Sequence, residues 1–401
     1  MAKSIKSHAF FVGNLPQISG IDSIKAVFGE PVKEDRKTYE NILCSLFHKS
    51  HIDAMIEAEG QTRPKVLDSV HHFRLEINKE LPFSVFNSYN SQLKVLDGYR
   101  FVLKSLHLYL FPVGITLYAL EVDDSGSDMD ELTYAHFVLR ELPSRWSQFP
   151  AELTDILQPI LDLTGCDNTK ELVSLGNKLK LFQTIQTAPD FYSREHLFEV
   201  AMCSPIDTVG TTHAMAPSQE YFDSIIEENL IAPFNNWMAL AIMDSFTVLF
   251  TDAYDERTWF DSYFRLIYLR VLMQKTFLSN RNKQYRLDKV DKNLIRDLAI
   301  MDRFYFYDTI SFNFLPDIIN KQMSKGLGIK EEQEELSVQI KESEAKAKDV
   351  MVGVVSAFAI FSVAYDSYSL FHEAETSTAP LIMSIVAIVA VILIVFRLLR
   401  K

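Results

Sequence analysis

The chain has 401 residues, 48% of them hydrophobic, so it is long enough for two or three domains and a sizeable core. Its formal net charge of −13 argues against non-specific electrostatic binding of nucleic acid, which requires a basic face. The three cysteines, Cys44, Cys166 and Cys203, form no CxxC pair, so neither a disulfide framework nor a zinc site is indicated. The N-terminal residues lack a sustained apolar run, and no secretory signal is predicted.

Residues 1–142 alternate short β-like runs with helical stretches, a pattern that predicts a cytosolic α/β or α+β domain. The predicted strands are His8–Gly13, Phe73–Ile77, Phe83–Tyr89, Leu106–Glu121 and Tyr134–Leu142, and Lys37–Glu59 is a predicted helix.

A 3.6-residue periodicity dominates residues 143–325 and predicts a mainly helical cytosolic subdomain. The predicted helices are Phe149–Leu163, Lys170–Ile185, Gln219–Ala253, Arg257–Ser279 and Asp288–Lys325. Within them, the apolar run Trp237–Phe250 is too short to span a bilayer, and we interpret it as a buried core helix.

The C-terminal region predicts a membrane hairpin. Gly326 and Gly328 open a polar stretch at 326–349 that predicts a stalk helix, and apolar runs at 350–371 and 380–399 predict two transmembrane helices around an external loop at 372–379. Lysines before the first run, and Arg397, Arg400 and Lys401 after the second, place both flanks in the cytoplasm. We therefore expect a multi-pass protein of the cell inner membrane with cytoplasmic N- and C-termini.

This order of parts resembles the CorA-like family of two-span divalent-cation transporters and channels, and the likeness covers about residues 290–401. The family signature Tyr-Gly-Met-Asn ends the first span, where this chain has Ala364-Tyr365-Asp366-Ser367-Tyr368-Ser369. The missing Gly-Met-Asn argues against Mg²⁺ transport of the usual kind. The resemblance implies a homo-oligomer, a pentamer in the family, whose first span lines a pore. A subgroup without a clear signature occurs beside type III CRISPR systems, where it resembles effectors opened by a nucleotide messenger such as the conjugate of S-adenosylmethionine with AMP.

Small and hydroxyl side chains form a stripe on the first predicted span, which is typical of either a pore wall or close helix packing. The candidate pore-lining residues are Val352, Val355, Ser356, Ala359, Ser362, Asp366 and Ser369. Asp366 would form a ring of carboxylates in an oligomer and would favour cations.

Residues 257–286 hold seven Lys or Arg against one acid, interleaved with aromatic residues, a combination that suits phosphate and a stacked base but also an ordinary solvated helix. The candidate ligand-binding residues are Tyr263, Arg265, Arg270 and Lys275. His48, His51, His71 and His72 have no spacing that indicates a metal site. No catalytic motif is present, so we predict neither an enzyme nor a cofactor.

Two hypotheses follow from the sequence. The first is an oligomeric CorA-like ion channel in the lipid bilayer, gated by a nucleotide bound to its cytosolic domain and hinged at Gly326 and Gly328. The second is a membrane-tethered sensor or scaffold whose hairpin is only an anchor. A divergent Mg²⁺ transporter is a further alternative.

Overall fold

The computed structural model describes residues 5–15, 18, 20–32, 70–83, 99–126, 128–141, 151–165, 178–203, 209–211, 216–242, 245–251, 260, 264–287, 292–306, 310 and 314–342. It divides into two units, one of residues 1–280 and 293–332 and the other of 281–292 and 333–401. The sheet and every site discussed below belong to the first unit, whereas the helices at 265–287 and 329–342 each continue into the second.

Eight strands of the described residues form one mixed sheet in the order β2-β3-β4-β1-β5-β8-β7-β6. Neighbouring strands are antiparallel except β5 and β8, which run parallel. The strands are β1 Ile5–Leu15, β2 His71–Pro82, β3 Arg100–Leu110, β4 Thr116–Gly126, β5 Lys180–Gln186, β6 Leu230–Ile231, β7 Trp237–Ile242 and β8 Ser245–Phe250.

The described helices cover both faces of this sheet, as an α/β fold requires. They are α1 Ile21–Phe28, α2 Met129–Glu141, α3 Ala151–Thr164, α4 Arg194–Met202, α5 Gln219–Asn229, α6 Arg265–Leu287, α7 Lys292–Phe304, α8 Phe314–Gly326 and α9 at 329–342, with short 3₁₀ turns at Pro112–Gly114 and Pro189–Phe191.

Two apolar clusters form one side of the core. The larger joins α1, α2 and α3 to β1–β4 through buried side chains such as Phe11, Phe73 and Leu120. The smaller joins α4 and α5 to β7 and β8 through residues such as Phe198 and Leu240. On the opposite face, Phe264 and Tyr268 at the start of α6 contact Phe182 of β5.

The structure corrects the predicted helical subdomain at 143–325. Four strands lie inside that range, and β5 pairs with β1 across the predicted boundary at 142/143. The run Trp237–Phe250 forms strands β7 and β8 instead of a helix. Every described residue of both strands is buried, so the sequence lacks the alternation of a half-exposed strand. The helix prediction was wrong for this reason. The run Tyr134–Leu142, predicted as a strand, falls largely in helix α2.

The membrane part of the fold prediction is also corrected. Within the described ranges, no helix combines the length and the apolar character needed to cross a bilayer. The described residues instead form a sheet-rich α/β fold. This finding contradicts the predicted two-helix hairpin, the multi-pass inner-membrane location and the assignment as a membrane channel. The structure does not describe residues 343–401. This range includes the predicted spans 350–371 and 380–399, the loop 372–379, the end of the stalk at 343–349 and all the candidate pore-lining residues.

Gly326 has a packing role that the sequence prediction of a hinge missed. A Cβ built on Gly326 would lie 2.2 Å from the carbonyl oxygen of Ala241 in β7, so the end of α8 touches the sheet backbone directly. Gly328 differs, since its φ of +65° is a left-handed conformation that permits the turn between α8 and α9. Of the two glycines, the first therefore fixes α8 against the sheet.

Candidate functional site: a histidine and carboxylate cluster on the sheet

Charged and polar side chains from four neighbouring strands converge on the sheet face opposite the larger apolar cluster. Because side chains alternate along a strand, the register places them on one face: His8 is paired with Asp123, and Ser105 with Glu121. We call this group the His/Glu cluster; it comprises His8, His72, Arg74, Ser105, His107, Glu121 and Asp123.

A β-bulge in β3 turns the side chain of Ser105 toward the cluster. The register of β3 against β4 shifts between Leu103 and Ser105. Leu103 consequently belongs to the apolar cluster, whereas Ser105, two residues later, faces the other side and contacts Glu121. Such bulges redirect side chains next to functional sites.

Hydrogen bonds link the cluster into a chain across the sheet. His107 Nε2 donates to Glu121 Oε2 over 3.0 Å, because a carboxylate only accepts, and His72 Nε2 then donates to His107 Nδ1 over 2.8 Å. Glu121 Oε1 lies 3.3 Å from His8 Nε2, and His8 Nδ1 contacts Asp123. The chain of contacts therefore runs from β2 through β3 and β4 to β1.

The protonation states follow from these contacts. Burial alone would lower the pKa of His8, but the hydrogen bonds and charges of Asp123 and Glu121 raise it to about 9, so His8 is an imidazolium at neutral pH. Burial would raise the pKa of Glu121, yet the hydrogen bonds from His107, His8 and Ser105 hold it well below its usual range. Burial lowers the pKa of His107 to about 3 against the effect of Glu121, which keeps His107 neutral.

Two cationic side chains, Arg74 within the cluster and Lys104 beside it, contact its acids. Arg74 Nη2 lies 3.3 Å from Glu121 Oε2, and Lys104 Nζ lies 3.7 Å from Asp123 Oδ2. The side chains of Asp123, Arg74 and Lys104 are 40%, 32% and 26% exposed, so this is the side on which the cluster meets solvent. Helix α6 reaches the buried side, where Arg265 Nη1 donates to Tyr109 Oη over 3.2 Å.

The geometry of Ser105, His107 and Glu121 does not suit a nucleophilic triad. In a triad the serine and the acid hold opposite nitrogens of the imidazole. Here Ser105 Oγ and Glu121 Oε2 both approach Nε2 of His107, at 2.8 and 3.0 Å, while Nδ1 is held by His72. The arrangement therefore provides no base that could activate the Ser105 hydroxyl.

A second polar network lies on the other face of the sheet and is fully internal. Asp124 Oδ2 accepts from Tyr99 Oη over 2.9 Å and from His136 Nε2 over 2.8 Å, and His136 Nδ1 lies 2.6 Å from Gln183 Oε1. Gln183 Nε2 donates to Thr247 Oγ1. Because the side chains of His136 and Asp124 are 1% and 0% exposed, this network cross-links α2, β4, β5 and β8 and offers no access to a ligand.

The structure places the predicted ligand residues apart from one another. Arg265 is buried beside the His/Glu cluster. Arg270 is buried in the core, where it donates to Asn320 Oδ1 over 2.6 Å and to the Tyr305 carbonyl over 2.5 Å. Lys275 forms an ion pair of 2.7 Å with Glu332, and Tyr263 lies outside the described residues.

The histidine candidates are also separated. His71 and His72 are neighbours on β2 and therefore point to opposite faces, so only His72 joins the cluster. His48 and His51 lie outside the described residues. In the part of the chain that the structure describes, no group of three or more histidine, cysteine or acidic side chains could hold a metal ion.

Comparison with family models, with characterised proteins and with solved structures finds no match to this chain. The resemblance to the CorA-like family and the expected pentamer therefore stay predictions from the sequence. The functional argument rests on the geometry of the described residues.

Proposed function

We propose that this protein is a non-enzymatic ligand sensor whose α/β unit binds a small phosphorylated ligand, of the nucleotide class, at the solvent side of the His/Glu cluster. The observation that carries the proposal is that three cationic groups, on Arg74, Lys104 and His8, each contact Glu121 or Asp123 where the buried network reaches solvent. Phosphate oxygens accept from such donors through strong, charge-assisted hydrogen bonds.

The burial of the network supports a functional role. Placing ionised groups inside a protein is costly unless each is paired, and hydrophobic residues of similar size would serve the sheet as well. Glu121 and His107 nevertheless form a hydrogen-bonded pair with side chains only 5% and 2% exposed. Groups with strongly shifted pKa values gather at functional sites more often than elsewhere.

The same network provides a route by which binding would reach α6. Tyr109 Oη lies 3.4 Å from His107 Nδ1 and accepts from Arg265 at the start of that helix. A phosphate that draws Arg74 or His8 away from Glu121 changes the charge felt by His107, and hence by Tyr109 and Arg265. Ligand binding would thus alter the attachment of α6 to the sheet.

Calorimetric titration of the full chain with AMP, ADP and inorganic phosphate tests the proposal. Arg74→Gln should weaken AMP binding about tenfold or more, because a hydrogen bond to a charged group contributes about 1.5–3 kcal/mol. The matched control is Arg100→Gln, since Arg100 lies on the adjacent strand, is 64% exposed and pairs with Glu80. Equal affinity of wild type and Arg74→Gln, or no heat with any of the three probes, would contradict the proposal.

A further inference from the structure

One carboxylate of the His/Glu cluster, that of Asp123, reaches solvent while it contacts two cationic side chains. Asp123 contacts His8 Nδ1, and its Oδ2 lies 3.7 Å from Lys104 Nζ. The side chain of Asp123 is 40% exposed, whereas that of Glu121, the other acid of the cluster, is 5% exposed. Two of the three cations that would bind a phosphate are therefore already paired with an exposed carboxylate of the protein itself.

The fold places Asp123 between these two cations. Asp123 is the Cα partner of His8 in β1, so the two side chains are cross-strand neighbours on one face of the sheet. Lys104 is the extra residue of the β-bulge in β3, because the register shifts between Leu103 and Ser105. Both contacts of Asp123 thus follow from the strand register and the bulge.

The two acids of the cluster differ in how firmly they are held. Glu121 is contacted by four other members of the cluster and is almost completely buried. Asp123 shares a more open position with Lys104, whose side chain is 26% exposed, and ion pairs that reach solvent contribute little to stability. An incoming anion therefore displaces Asp123 more readily than Glu121.

We propose that Asp123 is an internal competitor of the ligand: its carboxylate occupies the position beside His8 and Lys104 that the ligand's phosphate takes, and binding requires Asp123 to turn toward solvent. The inference rests on the proposed function, because it concerns the same site. A phosphate monoester carries more negative charge than a carboxylate. The imidazolium of His8, with a side chain 13% exposed, consequently keeps an anionic partner in both states, as a buried charge requires.

The expected effect on affinity depends on how often Asp123 occupies the site. When only a fraction of the molecules is competent to bind, the apparent Kd is the intrinsic Kd divided by that fraction. Occupation by Asp123 in about four of five molecules would raise the apparent Kd about fivefold. Because the structure shows Asp123 in the contact position, we expect removal of its carboxylate to tighten binding by about this factor or more.

Calorimetric titration of the full chain with AMP and with inorganic phosphate at pH 6 tests the inference. Asp123→Ala should bind both about fivefold more tightly than wild type, or better. The substitution removes a hydrogen bond that raises the pKa of His8, and at pH 6 an ordinary imidazole, with a pKa of about 6.5, is still mostly charged. The matched control is Glu80→Ala, which removes the same charge from the exposed pair of Glu80 with Arg100 and should leave the affinity unchanged.

A second variant, Asp123→Asn, removes the charge and keeps the shape of the side chain. It should also bind more tightly than wild type, and it replaces Asp123→Ala in the test if thermal unfolding shows that the alanine variant is not folded.

The outcomes separate this inference from the proposed function. If wild type binds AMP and neither Asp123 variant binds it more tightly, the inference is overturned and the proposed function stands. If only the Asp123 variants bind, the inference is supported and the proposed function is contradicted for wild type. A gain in Glu80→Ala equal to that in Asp123→Ala would be a general effect of charge and would overturn the inference, and absence of binding in every variant would overturn both.

Discussion

Gly326→Ala is expected to destabilise the protein, although helix propensity alone predicts the opposite. Gly326 is the last residue of α8, and alanine in a helix is more favourable than glycine by about 1 kcal/mol. The added Cβ would, however, lie 2.2 Å from Ala241 O and 2.7 Å from Ala241 C. These atoms belong to the backbone of β7, where Ala241 pairs with Phe246 of β8 and the preceding Leu240 pairs with Leu230 of β6, so a shift of this backbone would disturb both pairings.

The magnitude follows from the movement that the helix must make. An ordinary carbon–oxygen contact of about 3.3 Å requires α8 to retreat by about 1 Å, and a gap of that size forfeits a quarter to a half of the dispersion energy. Ile319 and Met323 of α8 are fully buried, and burial of each contributes about 1.5–3 kcal/mol. We expect a net loss of about 2 kcal/mol, within the range for overpacked cores.

Urea unfolding followed by circular dichroism measures this effect. Lys325→Ala is the neighbouring control, because Lys325 is 51% exposed and its contact with Glu228 is on the surface. A Gly326→Ala protein that is as stable as wild type, or more stable, would refute the packing argument and restore the hinge hypothesis.

Three further predictions concern buried charges. The pKa of His8 is raised to about 9, so its contribution to the free energy of unfolding is fully present below pH 6.5 and is lost as the pH rises through 9. In His8→Gln the free energy of unfolding should lose this pH dependence, which amounts to about 2–3 kcal/mol. Urea unfolding at a series of pH values measures it. Burial and the charge of Asp130 raise the pKa of Glu199 to about 8, so the free energy of unfolding falls as the pH rises from 4.5 through 8 and the carboxyl group ionises. Glu199→Gln cannot ionise and should be about 1–2 kcal/mol more stable than wild type at pH 8. Arg270→Met leaves the Tyr305 carbonyl without one of its donors. The free energy of unfolding should fall by about 3 kcal/mol or more, and thermal unfolding measures the loss.

Two of these predictions have an exposed control, in the same helix for Glu199 and in α7 for Arg270. Glu195→Gln, on an exposed position of α4, should show no gain at pH 8. Arg296→Met, with a side chain 58% exposed, should cost little. An unchanged pH profile in His8→Gln would mean that Asp123 and Glu121 do not hold the imidazolium as the geometry indicates, and a stable Arg270→Met would return Arg270 to the list of ligand candidates.

Local sequence patterns were sufficient for some elements. His8–Gly13 and Phe73–Ile77 lie inside β1 and β2, because their residues favour extended backbone whatever they pair with. The predicted strand Leu106–Glu121 is divided between β3 and β4, since Pro112 and Gly114 form the turn between them. Phe149–Leu163 overlaps α3, whose apolar residues recur at helical spacing.

Only the tertiary structure decided the rest, for physical reasons. Strands β7 and β8 are buried on both faces, so Trp237–Phe250 has the continuous apolar composition of a core helix and its period is uninformative. The His/Glu cluster joins His8 to Asp123, which are 115 residues apart in sequence, and no local pattern encodes that register. The sequence named Arg265 as one of four ligand candidates and left an ordinary helix as the alternative; only the structure shows that it donates to Tyr109 of β3.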